Sequence, residues 1–384
     1  MNSLTLARRG FSLLELLIAI TIMILAIAMA GAAFSLQNTA LQAMELTRVA
    51  NADSRDALLS LEGGLRQAGW GVDPRYAIDL FSANPSIDRA DAPDQLTFIA
   101  RDPSYQWLDN GQGACVTPAG CFAGHAWPVT AMTAGPPVTL AITLLAGQTI
   151  HSGQMVQVLC AGAENPVLLT VTGDYAAGDV VLSSLASPAF PYNDTVSIRP
   201  CHGAPGAAVF LVNRSRYFIA TFGGVPWLML DPGVDVDGDG VLPPADADDM
   251  SPIAKNVEDM QVAYLLSGTG AGPDNDGDWI IGNTVGTVEL PVAPVNVNSL
   301  PTYVTDPADA SRRTMASANV RGVRISLIIR SSRPDPNKGP NFPGDVLAYP
   351  ENRTGSAAGN KVRRYSAVSQ ISLRNLESTR PFTF

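Results

Sequence analysis

The amino-acid sequence predicts an α+β protein, in which a long N-terminal membrane and amphipathic helix is followed by an antiparallel β-rich globular head. Two observations predict this order. Residues 11–68 contain no proline and carry apolar residues at helical spacing, whereas the rest of the chain divides into short β-rich runs between turn signals. The 34 glycines and 29 prolines among 384 residues favour many turns and few long helices. A helix followed by strands is the α+β arrangement.

The composition excludes several classes of protein. Hydrophobic residues make up 46% of the chain and charged residues 16%, which excludes a disordered chain. The 25 basic and 35 acidic residues give a net charge of −10, which disfavours nucleic acid as a partner. The chain has only three histidines and no HExxH, Walker or GxSxG motif. We therefore expect no catalytic activity.

The first predicted element is a membrane-spanning helix. Residues 11–34 form an apolar run with a single charge, at Glu15. At about 1.5 Å per residue this run spans roughly 36 Å, which is enough to cross a hydrocarbon core of about 30 Å. Arg8 and Arg9 precede the run and orient the leader towards the cytoplasm, so the downstream chain is expected outside.

Three fates of this segment compete. The segment is either a secretory signal peptide that is cut after residues 28–30, a permanent membrane anchor, or a segment that is cut on its cytoplasmic side. Glu15 favours the third fate, because an ionised carboxylate near the start of a membrane helix costs about 2.5 to 3.5 kcal/mol on insertion scales. Such a group normally has a partner.

The residues around this cut carry a family resemblance. Residues 8–17, RRGFSLLELL, resemble the prepilin signature of type IV pilins and type II secretion pseudopilins. In that family a prepilin peptidase cuts after the glycine and methylates the new N-terminus, which implies cleavage between Gly10 and Phe11. Loss of the leader, residues 1–10, changes the net charge from −10 to −12 because two arginines are its only charged residues. Glu15 becomes the fifth mature residue, placed to pair with the α-amine of a neighbouring subunit.

The helix continues beyond the membrane part as an amphipathic helix. Leu58, Leu61 and Leu65 recur at helical spacing, and the glycines of 69–71 predict a stop, so the predicted helix is 11–68. The head is then 69–384. Strands are predicted at 95–100, 155–159, 167–171, 180–182, 208–211, 217–221, 260–266, 320–330 and 365–373. A head of this size exceeds what a minimal sheet needs, so we expect an inserted β lobe at about 103–203.

Several segments of the head are similar to the PilW type of minor pilin, namely residues 65–69, 217–220, 320–327 and 373–376. This resemblance implies a structural subunit of a type IV pilus that helps prime or cap pilus assembly. The partners it implies are other minor and major pilins, the prepilin peptidase, the inner-membrane assembly platform and the membrane itself. It further implies a single-pass inner-membrane protein with a periplasmic head, which later joins the pilus at the cell surface. A minor pseudopilin of a type II secretion system and a calcium-dependent pilus-tip adhesin are the alternatives.

The cysteines predict disulfides. All four lie in the part of the chain expected outside the cytoplasm, where thiols are oxidised: Cys115, Cys121, Cys160 and Cys201. Four cysteines allow three connectivities. We favour a bond between Cys115 and Cys121 and another between Cys160 and Cys201, and the other two connectivities stay open.

An acidic loop predicts a calcium site. Its carboxylates stand at the first, third, fifth and twelfth positions of a calcium loop, and a backbone carbonyl at the seventh; the ligands are Asp235, Asp237, Asp239, Val241 and Asp246. A solvated acidic turn is the alternative. A second, less complete loop holds Asp274, Asp276 and Asp278 but has Trp279 where glycine is expected.

Overall fold

The structure is a computed structural model with one long helix and antiparallel strands, which confirms the predicted α+β fold. The residues it describes are 12–72, 77–78, 92–101, 126–133, 138–142, 149–159, 167–175, 179–184, 208–237, 239, 241, 246, 248–266, 279–281, 320–335, 347–348, 356–357 and 361–377. The strands are β1 (Leu96–Arg101), β2 (Ala126–Thr133), β3 (Val138–Ile142), β4 (Met155–Leu159), β5 (Val167–Val171), β6 (Asp179–Ser184), β7 (Ala208–Phe222), β8 (Val225–Asp231), β9 (Ser251–Lys255), β10 (Val257–Leu266), β11 (Trp279–Ile281), β12 (Val320–Arg330), β13 (Leu347–Ala348), β14 (Ser356–Ala357) and β15 (Arg364–Ser372). A single helical turn, Arg374–Glu377, follows β15.

Helix α1 (Leu13–Leu65) is continuous, and only its C-terminal part packs on the head. At 1.5 Å per residue it is about 80 Å long. Its buried residues recur every three or four positions, which places them on one stripe: Leu46, Ala50, Ser54, Ala57, Leu61 and Leu65. After α1 the chain turns through Gly69 and Gly71, which have φ values of 75° and 67° that favour glycine. The helix therefore ends close to the predicted stop.

The packing of α1 requires one glycine. A Cβ atom on Gly64 would lie 2.8 Å from the Phe98 ring and 3.0 Å from the Tyr217 hydroxyl, both on buried side chains of the head. Around the neighbouring Gly63, no atom of the described residues lies within 4 Å of such a Cβ, apart from the adjacent residues and the backbone of the helix itself. Two adjacent helical glycines therefore differ in their surroundings alone.

This difference predicts opposite effects on stability. Gly63→Ala is expected to stabilise the protein by about 0.5 to 1 kcal/mol, because alanine is a better helix former than glycine. Gly64→Ala is expected to destabilise it by about 1 to 3 kcal/mol, because the buried aromatic pair must move. Urea unfolding of the purified protein in detergent, followed by tryptophan fluorescence, measures both. A shift of the two midpoints in the same direction would contradict this packing.

The largest sheet contains the nine strands β1 to β9, and six of them close into a barrel. They pair in the order β2-β3-β6-β5-β4-β7, and β2 also pairs with the start of β7, where Trp127 lies opposite Val209. These strands build a hydrophobic cluster separate from the main core: Met132, Leu140, Ile142, Ile150, Val156, Val158, Leu169, Val171, Val209 and Leu211. The expected lobe at 103–203 contains β2 to β6. Its two bounds fall outside the described residues, so they stay a prediction.

Strand β7 is shared between the barrel and the rest of the head. Its first residues pair with β2 and β4, and its later residues pair with β1 and β8. The prediction of two separate strands, 208–211 and 217–221, is therefore wrong. The polar residues between them stay in the strand because the buried Arg216 lies opposite Asp231 of β8, with its Nη2 atom 2.6 Å from the carboxylate. Burial in this setting lowers the pKa of Arg216, and the charge of Asp231 acts in the opposite direction.

The main core lies between α1 and the two larger sheets. The smaller of these two sheets has four strands in the order β11-β10-β12-β15. Helix α1 packs on β12 and β15 of this sheet and on β9 of the largest sheet. Two polar contacts attach α1 to β15. The hydroxyls of Thr47 and Tyr365 lie 2.9 Å apart, and Ser369 donates to the Glu62 carboxylate at 2.5 Å.

One buried residue, Asn256, joins β9 to β10 and so connects the two sheets. Its φ of 64° is one that asparagine tolerates better than most residues. Its N–H donates to the Pro226 carbonyl of β8, and its carbonyl accepts from the Arg330 N–H of β12. Its side-chain amide donates to Asp53 of α1 at 3.2 Å, while burial raises the pKa of that carboxyl. This turn residue therefore connects the helix to both sheets.

Candidate functional site

The helix α1 begins at a serine cap. Ser12 has an extended backbone, and its side-chain oxygen accepts a hydrogen bond from the Glu15 N–H at 3.2 Å. Ser12 and Glu15 have the spacing of a capping box, in which the acidic side chain also supports the helix start. The spacing therefore gives Glu15 a second candidate role, as a cap, beside the predicted role in assembly. The two roles make different demands, because a cap needs an acceptor oxygen and an ion pair needs a charge.

The N-terminal part of α1 is apolar and uncovered. The side chains between Leu13 and Asn38 are all exposed, and the large apolar ones between Leu13 and Met44 are 48% to 80% exposed. No charged residue occurs between Glu15 and Glu45. By length and composition this is the one helix of the described chain that is able to cross a membrane. An apolar surface of this length requires lipid or other apolar helices around it.

Within residues 13–34 only two side chains are polar, and they differ in how they are satisfied. The Thr21 hydroxyl lies 3.0 Å from the Leu17 carbonyl and 2.8 Å from the Ile18 carbonyl, so it is satisfied within the helix. The Glu15 carboxylate has no cationic partner among the described residues. In a membrane or a helix bundle, Glu15 is thus the group of this segment that needs a partner from outside.

The predicted calcium loop connects β8 to β9, and the structure brings its carboxylates together. Single oxygens of Asp235, Asp237 and Asp239 lie within 4.8 Å of one another. Asp237 and Asp239 each accept a hydrogen bond from a backbone N–H two residues later, at 3.1 and 2.7 Å. The second of these donors is Val241, the residue predicted to supply a carbonyl. These turns fold the loop so that its acidic side chains converge.

A second triplet shares Asp237 and includes a residue that sequence reasoning missed. Oxygens of Asp237, Asp246 and Asp249 also lie within 4.8 Å of one another. Asp249 is only 5% exposed, and its Oδ1 accepts from the Val236 N–H at 2.6 Å. Its Oδ2 is buried and accepts no hydrogen bond from any residue that the structure describes. The sequence analysis missed Asp249 because this residue lies beyond the twelve-residue loop. The three aspartates within 246–249 are the sequence feature that indicates further ligands there.

The acidic triplets affect one another electrostatically. The pKa of the Asp237 carboxyl is raised: the hydrogen bond from Asp239 lowers it, but desolvation and the charges of Asp239, Asp246 and Asp249 outweigh that bond. The sequence offers no lysine or arginine between 232 and 254. Mutual repulsion among carboxylates is the environment that a bound cation relieves.

The acidic loop also contacts the barrel. The Asp235 N–H donates to the Ser152 carbonyl at 3.1 Å, and Ser152 lies in the turn before β4. The Ser152 N–H in turn donates to Asp174 at 2.8 Å, which fixes the turn from the barrel side. The loop between β8 and β9 therefore lies at the junction of the barrel with the rest of the head.

Several predicted site residues lie outside the described residues, so their predictions stay as stated. They are the cleavage site Gly10 and Phe11, the second acidic loop with Asp274, Asp276 and Asp278, and the four cysteines Cys115, Cys121, Cys160 and Cys201.

Comparison with known families identifies the N-terminal segment. Residues 6–33 match the family described as "Prokaryotic N-terminal methylation motif". This match contains the predicted cut after Gly10 and the acidic residue Glu15. It supports a type IV pilin-like N-terminus. Because it covers only the start of the chain, it does not extend to the PilW type or to a role in assembly.

Comparison with solved structures and with curated proteins adds little. One similar solved structure is a type IV-like pilin from Thermus thermophilus, with 15% identity and a TM-score of 0.21 over 59% of this chain and 84% of that one. A score of this size does not establish a shared fold. No curated protein matches the chain.

Proposed function

We propose that this chain is a minor pilin of a type IV pilus, a structural subunit that helps prime or cap pilus assembly. The observation that carries the proposal is the uncovered apolar half of α1, which holds a single charge at Glu15 within a methylation motif. A plain membrane anchor has no use for that charge. In a subunit that moves from lipid into a bundle of similar helices, that charge pairs with a neighbouring subunit and sets the axial position of the helix.

The first stage of this function takes place in the inner membrane. Residues 13–34 span roughly 33 Å at the helical rise, which matches a hydrocarbon core of about 30 Å. Arg8 and Arg9 keep the leader on the cytoplasmic side, so the head lies in the periplasm. The prepilin peptidase then removes the leader and methylates Phe11. The membrane and this peptidase are the first partners of the chain.

The second stage is transfer from lipid to filament at the inner-membrane assembly platform. Contacts with neighbouring apolar helices replace the lipid around the exposed side chains of α1, such as Leu25 and Phe34. The α-amine of an adjacent subunit neutralises Glu15 within this apolar bundle. A pair of opposite charges in a low dielectric is strong only at short range, so it selects one axial position of the helices.

The size of the head supports a minor rather than a repeated subunit. Helices pack at about 8 to 10 Å between axes, whereas a globular unit of the size of residues 69–384 has a radius of gyration of roughly 20 Å. Heads this large crowd one another when every helix of a shaft carries one. A single copy at the tip, among other minor pilins and above the major pilins, avoids that crowding.

Deletion of the chain tests the function. A priming subunit is needed before any filament grows, so its loss is expected to abolish surface filaments, while the wild-type chain supplied in trans restores them. Electron microscopy and the amount of sheared surface pilin measure both results. Normal filaments with lost attachment to surfaces would contradict priming and support a calcium-dependent tip adhesin. Normal filaments with a block in protein secretion would contradict it in favour of a minor pseudopilin of a type II secretion system.

A further inference from the structure

We propose that the connection between β8 and β9 binds a calcium ion and that the bound ion stiffens the junction between the barrel and the rest of the head. The ligands are the carboxylates of the two triplets, which share Asp237: Asp235, Asp237, Asp239, Asp246 and Asp249.

Asp249 distinguishes this cluster from an ordinary acidic turn. A solvated turn leaves its carboxylates in water, but Asp249 is buried and its Oδ2 has no hydrogen-bond donor among the described residues. None of Asp237, Asp239, Asp246 or Asp249 forms an ion pair with a described lysine or arginine. A buried carboxylate is costly unless it is paired or binds a metal. An ion between the two triplets satisfies this group.

The chemistry of the ligands selects calcium among cations. Carboxylate oxygens are hard ligands, and ligands about 2.3 to 2.6 Å from one Ca²⁺ lie within about 5 Å of one another. The oxygens of each triplet lie within 4.8 Å of one another, which meets that requirement. Mg²⁺ demands a stricter octahedron and keeps several waters, which suits a crowded set of carboxylates less well.

The position of the loop gives the ion a structural role. The Asp235 N–H donates to Ser152 of the barrel turn, and Asp235 itself belongs to the first triplet. The rest of the loop returns to β9, which packs on α1 and leads into Asn256. An ion that fixes the two ends of the loop therefore fixes the barrel relative to the core that holds the helix.

Titration calorimetry of the mature full-length protein in detergent tests the site. After removal of divalent ions with EDTA, CaCl₂ is expected to bind with a Kd of about 0.1 to 1 mM, the range of extracellular calcium modules. The melting temperature is expected to rise with added CaCl₂. Absence of both effects at about 10 mM CaCl₂, well above that range, would overturn the proposal. MgCl₂ that binds as tightly as CaCl₂ would overturn the assignment to calcium.

Two neighbouring acids provide a matched pair of variants. Asp249→Asn removes a proposed ligand charge, keeps the oxygen that accepts from Val236, and is expected to weaken calcium binding by about tenfold or more. Asp248→Asn makes the same change at an exposed residue outside both triplets, and is expected to bind as the wild type does. Equal affinities of the two variants would contradict the role of Asp249.

Stability separates a calcium ligand from a merely structural residue. Without calcium, Asp249→Asn is expected to melt at or above the wild-type temperature, because it removes an uncompensated buried charge. With calcium, it is expected to melt below the wild type. A lower melting temperature in both conditions would contradict the proposal. Asp237→Asn, at an exposed residue shared by both triplets, serves as the second variant and is expected to lose binding while it folds normally.

Hydrogen exchange tests the effect on the junction. Calcium is expected to slow amide exchange in peptides of both 149–159 and 232–250 in the wild type and to leave Asp249→Asn unchanged. Slower exchange in the loop alone would show that the ion does not stiffen the junction.

Discussion

Glu15→Ala is expected to exclude the chain from filaments while leaving it in the membrane at normal levels. The substitution removes the one polar side chain of residues 13–34 that has no partner among the described residues, so the helix remains able to insert. What it loses is the attraction for the α-amine of a neighbouring subunit. Loss of a close charge pair in an apolar bundle far exceeds the roughly 1.4 kcal/mol that a tenfold change requires. The amount in sheared filaments, relative to the membrane fraction, is expected to fall by more than tenfold.

Two control variants separate the charge of Glu15 from its role at the helix start. Glu15→Gln keeps an acceptor oxygen at the third helical position, as a capping box needs, but carries no charge. It is expected to fail in assembly as Glu15→Ala does. Thr21→Val changes the other polar residue of the segment, whose hydroxyl is satisfied within the helix, and is expected to assemble normally. Normal incorporation of Glu15→Gln would show that the carboxylate acts as a cap rather than as one half of an ion pair.

Gly10→Val is the second substitution with a large expected effect. The β-branched valine adds bulk and stiffness beside the bond to be cut, where glycine leaves the backbone accessible. We expect the leader to remain, so Phe11 gains neither a free amine nor a methyl group. A chain in this state lacks the cation that a neighbouring glutamate requires, and its charged leader stays at the cytoplasmic face. It is therefore expected in the membrane fraction, with lower mobility on a gel, and absent from filaments.

Thr5→Val is the matched control for the leader. It introduces the same side chain five residues before Gly10, and we expect normal processing and assembly. Efficient cleavage of Gly10→Val would contradict a cut at this position, and a defect of equal size in Thr5→Val would point to general damage to the leader.

The parts of the fold that the sequence predicts well are those with local signals. The apolar run and the stripe of α1 that ends at Leu65 depend on residue spacing alone, and the strands β4, β5 and β12 have the predicted bounds. Helix α1 ends at Leu65, four residues before Gly69, and the glycines at 69 and 71 then turn the chain, because their positive φ is a local property. Within the acidic loop, Asp235, Asp237 and Asp239 are spaced closely enough for their convergence to be read from the pattern.

The parts that the sequence did not predict depend on distant contacts. Strand β7 continues through polar residues because Arg216 meets Asp231 on the neighbouring strand, and no local pattern indicates that pair. The barrel closes through the pairing of β2 with β7, across a long stretch of sequence. Asp249 reaches the acidic cluster because the chain folds back before β9. Each of these features is a property of the folded chain.

Mass spectrometry of the N-terminal peptide of the wild-type protein, isolated from membranes and from filaments, distinguishes the three fates of the first segment. We predict a chain that starts at Phe11 and carries a methyl group on its α-amine. An intact leader would contradict the processing from which the role of Glu15 follows and would leave a plain membrane anchor. A start at Gly31 would contradict it as well, because the whole segment would then have been removed as a signal peptide.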